Sequence, residues 1–309
     1  MTKTKICLID SLMGKHNYER GRWTLTGTPI NPNKVEWVYL GGSQECAAQE
    51  LSQENFDKTE DFLVTLATEK DLFNPATHQA KSKYKVALLN ECEEVHPWAY
   101  KNIYQVENNF DFILTHNKKM LERGEKYIKL PGPGTTWIPD DQAGVHKKSK
   151  ILSHIASKHN WARGHKLRHI ISHMIKDKYD VDLWGSAHKE FAKVEKFLPL
   201  KDYCFSITVM NADHENYFTE TLIDTFRCGT VPIFWGCKNI EEYFNPKGIL
   251  RFTNPTELKE ILNNLSFERY NEMLPHVQEN FEIAKKYIHF DDLVCDTILG
   301  VLGGDKGDA

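Results

Sequence analysis

The reading of this chain turns on Tyr217-Phe-Thr-Glu-Thr-Leu-Ile-Asp-Thr-Phe-Arg-Cys-Gly-Thr-Val-Pro-Ile-Phe-Trp-Gly236. Leu222, Ile223 and Phe226 recur at helical spacing, and Gly229 stands where a helix end calls for a left-handed residue. Val231 to Trp235 is a short apolar run suited to a strand covered on both faces. Glu220 falls at the helix start, among backbone N–H groups that lack partners within the helix and can hold a ligand. A helix opening beside parallel strands is a common way for α/β proteins to hold a nucleotide.

The pattern extends in both directions. Tyr217-Phe218-Thr219-Glu220 is followed by Cys228-Gly229-Thr230-Val231-Pro232, a strand ending at Gly236, and Asn239-Ile240-Glu241-Glu242-Tyr243. Over residues 202–252 this order resembles the sugar-nucleotide-binding region of the α1,3/4-fucosyltransferases, glycosyltransferase family 10. The resemblance implies an α/β fold of the GT-B type, two Rossmann-like domains facing each other across a cleft. It places an acceptor-binding domain at residues 1–145 and a nucleotide-sugar-binding domain at 146–309. It also implies that Glu220 binds the ribose hydroxyls, since a carboxylate accepts from two adjacent O–H groups. Tyr217, Thr219, Thr221 and Asn239 become neighbours of the nucleotide. One departure stands out: the family has a lysine after the glutamate, and here that position is Thr221. Lys158, Arg227 and Lys238 are the cations available to replace it.

Transfer of a sugar from a nucleoside diphosphate needs charge stabilisation on the departing diphosphate and removal of a proton from the incoming hydroxyl. Cationic side chains and helix N-termini serve the first need. Residues 146–178 hold seven lysines and two arginines against Asp177 alone, a basic segment in a chain of net charge −4. Within it, Ser153 to Asn160, Arg163, a helix and Val181-Asp-Leu-Trp-Gly185 resemble the family's strand, loop, arginine and helix order. By that resemblance Arg163 is the diphosphate-binding arginine. A solvated helix face is the competing reading for Arg163 and the preferred one for Lys166, Arg168 and Lys176. For the second need, Val86-Ala-Leu-Leu-Asn-Glu-Cys-Glu-Glu-Val-His-Pro97 is a strand running into a carboxylate-rich loop. The resemblance implies a general base here: counting back from Pro97 selects Glu93, and aligning the strand ends selects Glu91. His165, His169 and His173 fall at i, i+4 and i+8, read as a solvated helix face. Asp180-Val-Asp182 is read as structural. No metal or other cofactor is expected.

A chain of 309 residues is comfortable for two domains, and 27% charged with 40% hydrophobic residues describes an ordinary folded protein. Strands are expected at Ile6–Ile9, Val35–Leu40, Val86–Leu89 and Phe112–Thr115, with helix supplied by Ser52–Leu66, and the domain linker at Asp140–Lys150. In the second half, strands are expected at Ile151–Ala156, Tyr179–Trp184 and Asp202–Val209. Helices follow at Glu257–Leu262 and Glu268–Tyr287, the latter broken at Pro275, before a frayed tail from Gly303. Leu167, Ile170, Ile171, Met174 and Ile175 form an apolar helix stripe.

The seven cysteines include no CxxC pair and are read as reduced thiols of a cytoplasmic protein. No apolar run reaches membrane-spanning length, and the apolar part of the opening residues is too short for a secretory signal. Residue 10 is followed by Ser-Leu-Met-Gly-Lys-His, not a GxGxxG fingerprint, which disfavours a nucleotide-dependent dehydrogenase. The net negative charge disfavours nucleic acid as a partner.

The resemblance thus implies an inverting, metal-independent transferase that moves fucose from GDP-fucose to a hydroxyl of a glycan acceptor. The acceptor would meet loops such as Gly14–Trp23. The alternatives are a divergent member using another nucleotide sugar, suggested by Thr221 and Val209-Met-Asn-Ala-Asp213, and an inactive glycan- or nucleotide-binding protein of the same fold.

Overall fold

Val64-Thr-Leu-Ala-Thr68 is the interior strand on which the first sheet is organised. All five residues are buried, and the strand pairs in parallel with a neighbour on each side. The computed structural model describes residues 4–9, 35–39, 58–192 and 195–304. Among them, β1 (Thr4–Ile9), β2 (Val35–Tyr39), β3 (Val64–Thr68), β4 (Tyr84–Leu89), β5 (Phe112–Thr115) and β6 (Tyr127–Lys129) form one parallel sheet. Its order is β2-β1-β3-β4-β5-β6. The expected helix at Ser52–Leu66 is corrected where it is described: Lys58–Asp61 is a short 3-10 turn and the chain then enters β3. A strand buried on both faces loses the apolar–polar alternation by which strands are recognised.

The second sheet, in the order β11-β10-β9-β7-β8, is also parallel. It contains β7 (Lys150–Ile155), β8 (Asp182–Trp184), β9 (Tyr203–Val209), β10 (Val231–Trp235) and β11 (Leu250–Arg251). The helices used below are α1 (Pro97–Asn102), α2 (Arg163–Ile175), α3 (Glu220–Arg227), α4 (Pro255–Asn263), α5 (Phe267–Ala284) and α6 (Phe290–Gly304). On α3, Leu222, Ile223 and Phe226 are buried as their spacing requires, and Gly229 takes φ +62°. On α2, Ile171 and Ile175 face the core, whereas Ile170 lies exposed.

The chain divides into two compact units, one ending at Pro133 and resuming at His289, the other spanning Gly134–Ile288. This differs from a boundary at 145/146 in two ways. Thr136 and Trp137 belong with the second unit, where the Thr136 hydroxyl and the Trp137 N–H both donate to Asp224 Oδ1, at 2.6 and 2.8 Å. The end of the chain returns to the first unit. Phe290, Val294, Cys295 and Ile298 of α6 are buried with Ile6, Val64, Leu66, Val86 and Leu88 of the first sheet. The helix continues through Gly303 and Gly304, where a frayed tail was expected. Pro275 does not break α5. The proline lies on an exposed face, where water can satisfy the carbonyl its missing N–H leaves open.

Two histidines make the second unit acid-sensitive. His154 on β7 is fully buried with Nδ1 3.4 Å from the Ile207 carbonyl and Nε2 3.0 Å from that of Arg168. Burial lowers its pKa to about 4 despite those contacts. His165 on α2 is buried, not part of a solvated face, and accepts the Ala162 N–H at 3.3 Å. Burial, then the nearby Arg168, lowers its pKa to about 4. The unfolded chain therefore binds these protons first as pH falls, so stability is complete above about pH 6.5 and declines towards pH 4. Between pH 7 and 5.5 the two sites together should remove about 2–3 kcal/mol. Thermal melts across this range, compared with His154→Gln and His165→Gln, measure it; a flat profile in the parent chain contradicts it.

Candidate active site

In the second unit β7, β9 and β10 run side by side, and the segments leaving their carboxyl ends carry the charged groups. Arg163 opens α2 after β7, Asp213 follows β9 and Lys238 follows β10. Asp213 draws them together: Arg163 Nη2 makes a short ion pair with its Oδ1, and Lys238 Nζ lies 3.8 Å from its Oδ2. The Arg163 guanidinium also lies 5.8 Å from the Trp235 ring centroid. Its side chain remains 54% exposed, so an anion from solvent can reach it and compete with Asp213.

The start of α2 is held by close packing. A methyl group at Gly164 would fall 1.7 Å from the Met210 carbonyl oxygen, so only glycine admits this approach. The Gly164 N–H donates to the Asn211 carbonyl at 2.9 Å. Arg168, expected on a solvated face, instead donates through Nε and Nη2 to the Val209 carbonyl and through Nη2 to Asn211 Oδ1. It anchors the end of β9. The basic segment is likewise partly committed to the fold. Lys148 Nζ donates to the Lys201 and Cys228 carbonyls and to Thr230, and Lys150 pairs with Asp182 at 2.7 Å. Asp182 also accepts from the Tyr203 hydroxyl, a structural arrangement.

Glu220 is the first residue of α3, capped by Thr219, whose hydroxyl accepts the Thr221 N–H at 3.3 Å. The Thr221 hydroxyl donates to Glu220 Oε1 at 3.1 Å. The cation beside them is Lys196, which sequence reasoning missed. Its Nζ lies 3.3 Å from Glu220 Oε1 and 3.0 Å from Asp224 Oδ2. Burial acts to lower the Lys196 pKa, but the Asp224 and Glu220 charges outweigh it and hold the ammonium above its ordinary value. For Glu220, burial is outweighed by Lys196, and the carboxyl titrates below its usual range. Burial raises the Asp224 pKa against the opposing pull of Lys196. Of the other cations weighed for position 221, Arg227 is buried and paired with Asp140 at 2.6 Å, which removes it from consideration. Lys158 is exposed. Arg163 and Glu220 thus stand in separate clusters, one with Asp213 and Lys238, the other with Lys196 and Asp224.

Two further nucleotide-site candidates have structural employment. Tyr217 is fully buried, its hydroxyl accepting from Asn211 Nδ2 at 3.4 Å. Asn239 Oδ1 accepts the Asn216 N–H at 2.8 Å and its Nδ2 donates back to Asn216 Oδ1 at 2.9 Å. This fixes Asn216 at φ +61°, a left-handed conformation that asparagine tolerates.

In the first unit the neighbouring strands β3, β4 and β5 stop in line, and Glu69, Asn90–Glu91 and His116 are the residues next after them. Glu91 and Glu93 therefore sit at the carboxyl end of β4, where α/β sites form. Glu69, which the sequence reading passed over, is 3% exposed and has φ +32°. Such strain costs about 1–3 kcal/mol and collects at functional sites. Among the described residues no cluster of three or more His, Cys, Asp or Glu is placed to hold a metal ion, and no helix is long and apolar enough to cross a membrane. The Gly14–Trp23 loop lies outside the described residues.

Residues 145–297 match the model of glycosyltransferase family 10 (fucosyltransferase), C-terminal. Residues 145–297 belong to glycosyltransferase family 10. The chain is 35% identical over 71 residues to a putative fucosyltransferase-like protein of Arabidopsis thaliana, covering 23% of this chain and 14% of that one. It is 26% identical over 167 residues to the 4-galactosyl-N-acetylglucosaminide 3-alpha-L-fucosyltransferase 9 of Rattus norvegicus, covering 52% and 44% respectively. The matches thus span less than half the length of these curated relatives. Among solved structures, an α1,3-fucosyltransferase with GDP aligns with a TM-score of 0.56 at 15% identity, over 96% of this chain and 89% of that one. The same kind of enzyme with GDP-fucose aligns with a TM-score of 0.57 at 14% identity, over 99% and 91%. At that identity the likeness concerns the fold, which is GT-B in this chain as in those structures. Both of its sheets are parallel and flanked by helices, as that fold requires.

Proposed function

We propose that this chain is an inverting fucosyltransferase that moves fucose from GDP-fucose to a hydroxyl group of a glycan. The observation that carries this reading is the grouping of Arg163, Asp213 and Lys238 at the carboxyl edge of the family 10 sheet. In the proposed reaction the bond between the fucose anomeric carbon and the diphosphate oxygen breaks as the acceptor oxygen bonds to the opposite face. Arg163 and Lys238 take up the charge that builds on the departing GDP, a role that preorganised cations perform well. Glu220, kept ionised by Lys196, holds the ribose hydroxyls. The acceptor proton passes to a carboxylate of the Glu91–Glu94 loop.

The acceptor belongs in this proposal to the first unit. Trp98 is exposed there, backed by Phe73 with ring centroids 4.2 Å apart, and an indole face suits the apolar side of a sugar ring. A cytoplasmic location is proposed from the buried free thiols Cys92, Cys204, Cys228, Cys237 and Cys295.

The test is calorimetric titration with GDP and UDP, followed by transfer assays with GDP-fucose and a panel of galactosyl-N-acetylglucosaminide acceptors. GDP should bind more tightly than UDP and fucose should transfer. Replacing the base should lower kcat by about 10²–10⁴-fold; Glu91→Gln and Glu93→Gln, assayed side by side, identify which carboxylate it is. A chain that binds neither nucleotide rules the proposal out. Release of a different sugar from a nucleotide-sugar panel would favour the divergent reading, for which the replacement of the family lysine by Thr221 speaks.

A further inference from the structure

The carboxylate loop after β4 is held from two sides by groups that the proposed reaction does not itself use. Glu69 presents one oxygen, Oε1, to two successive N–H groups, those of Asn90 at 2.6 Å and Glu91 at 2.9 Å. The Tyr100 hydroxyl, from α1, donates to the Glu91 carbonyl at 2.6 Å. His116 Nε2 lies 3.2 Å from that hydroxyl and 3.4 Å from the same carbonyl. Both backbone polar groups of Glu91 are therefore engaged. Beyond it, the Cys92 carbonyl accepts the Val95 and His96 N–H groups and closes the turn ahead of Pro97.

We propose that Glu69, with Tyr100 and His116, is a positioning residue that presets the Glu91–Glu94 carboxylates for proton removal from the acceptor. The inference rests on the reading that this loop carries the base. A carboxylate on a free loop samples many directions, and only a small fraction of them brings its oxygen within reach of the attacking hydroxyl. Fixing the backbone removes that loss before the acceptor arrives. Glu69 is not itself the base: it is buried, and Oε1 already serves two N–H donors. Its left-handed backbone fits the same purpose. A non-glycine residue keeps such a conformation where its surroundings overdetermine it, and two short hydrogen bonds to the next strand's exit do so here. The three groups come from the exit of β3, from α1 and from the exit of β5, so the clamp joins parts of the unit far apart in sequence.

The experiment compares Glu69→Ala, Glu69→Gln and Tyr100→Phe in the full chain. It measures kcat and donor KM with GDP-fucose, together with amide hydrogen exchange at Asn90 and Glu91. Glutamine keeps a side-chain oxygen for the two N–H groups, so Glu69→Gln should hold kcat within about threefold. Glu69→Ala should lower kcat by about 10–100-fold with donor KM nearly unchanged, because the loop and not the donor site is loosened. The Asn90 and Glu91 amides should lose protection in the alanine variant and keep it in the glutamine variant. Full activity in Glu69→Ala overturns the proposal. So does an equal fall in Glu69→Gln, which would show that the charge of Glu69 and not its hydrogen bonding is needed.

If Glu69→Ala does not fold, Tyr100→Phe takes its place, since it removes one hydroxyl, with its bond to the Glu91 carbonyl and its contact with His116; unchanged kcat there overturns the clamp. A parent chain that transfers no sugar sinks the enzymatic reading instead. The clamp is then decided by the exchange rates alone, and unaltered protection in Glu69→Ala refutes it.

Discussion

Arg163→Ala should lower kcat/KM for fucosyl transfer by about 10²–10³-fold, the usual consequence of removing one preorganised donor from a site of developing negative charge. Arg163 begins α2, whose position is set by the contact of Gly164 with the Met210 carbonyl and by the bonds from Arg168 to the end of β9. The guanidinium is therefore delivered by rigid elements and not by a loop. In the unliganded chain its partner is Asp213, which Lys238 also approaches. A diphosphate carries more charge than one carboxylate and can displace it. Arg163→Lys should restore only part of the loss, because an ammonium lacks the planar fork that binds two phosphate oxygens at once. Steady-state assays and GDP titration of both variants measure this. Activity of Arg163→Ala within threefold of the parent, or GDP binding untouched, would mean that the diphosphate lies elsewhere.

The second large effect concerns stability. Lys196→Met should destabilise the second unit by about 3–5 kcal/mol, since removing one partner of a buried ion pair leaves the other uncompensated. The side chains of Lys196 and Asp224 are 11% and 0% exposed, and Glu220 retains 29%, so solvent can do little to replace the lost ammonium. Asp224 also holds Thr136 and Trp137, and its disturbance reaches the start of the unit. Lys196→Met/Asp224→Asn should recover part of the loss, because asparagine keeps an acceptor for Thr136 and Trp137 without a buried charge. Thermal or urea unfolding of the two single variants and the pair forms the cycle. If Lys196→Met unfolds at the parent's midpoint, the triad is not the support described above.

What could be read in advance was what lies close together along the chain. The Leu222, Ile223 and Phe226 stripe, the left-handed Gly229 and the buried Val231–Trp235 strand are local patterns, and they stand where their spacing put them. Lys196 and Glu69 were illegible for the opposite reason. Lys196 meets Asp224 across 28 positions and Glu69 meets Asn90 across 21, and nothing in either neighbourhood announces the partner. Arg168 and His165 were assigned to a solvated face because helical charges usually are, but the close approach at Gly164 turns that part of α2 against β9. The motif puts Asn239 and Tyr217 near the nucleotide; what the structure adds is that Asn239 also holds the Asn216 backbone and that Tyr217 is buried.

The return of α6 to the first sheet bears on how the polypeptide matures. Phe290, Val294, Cys295 and Ile298 complete the hydrophobic interior to which Ile6 and Val64 belong. A ribosome delivers residues in order, so the earlier half must wait for the second unit to be synthesised before its own interior can close. During that interval the uncovered face of the first sheet is a natural substrate for chaperones, and cleavage near His289 would detach the last piece of the unit that was made first.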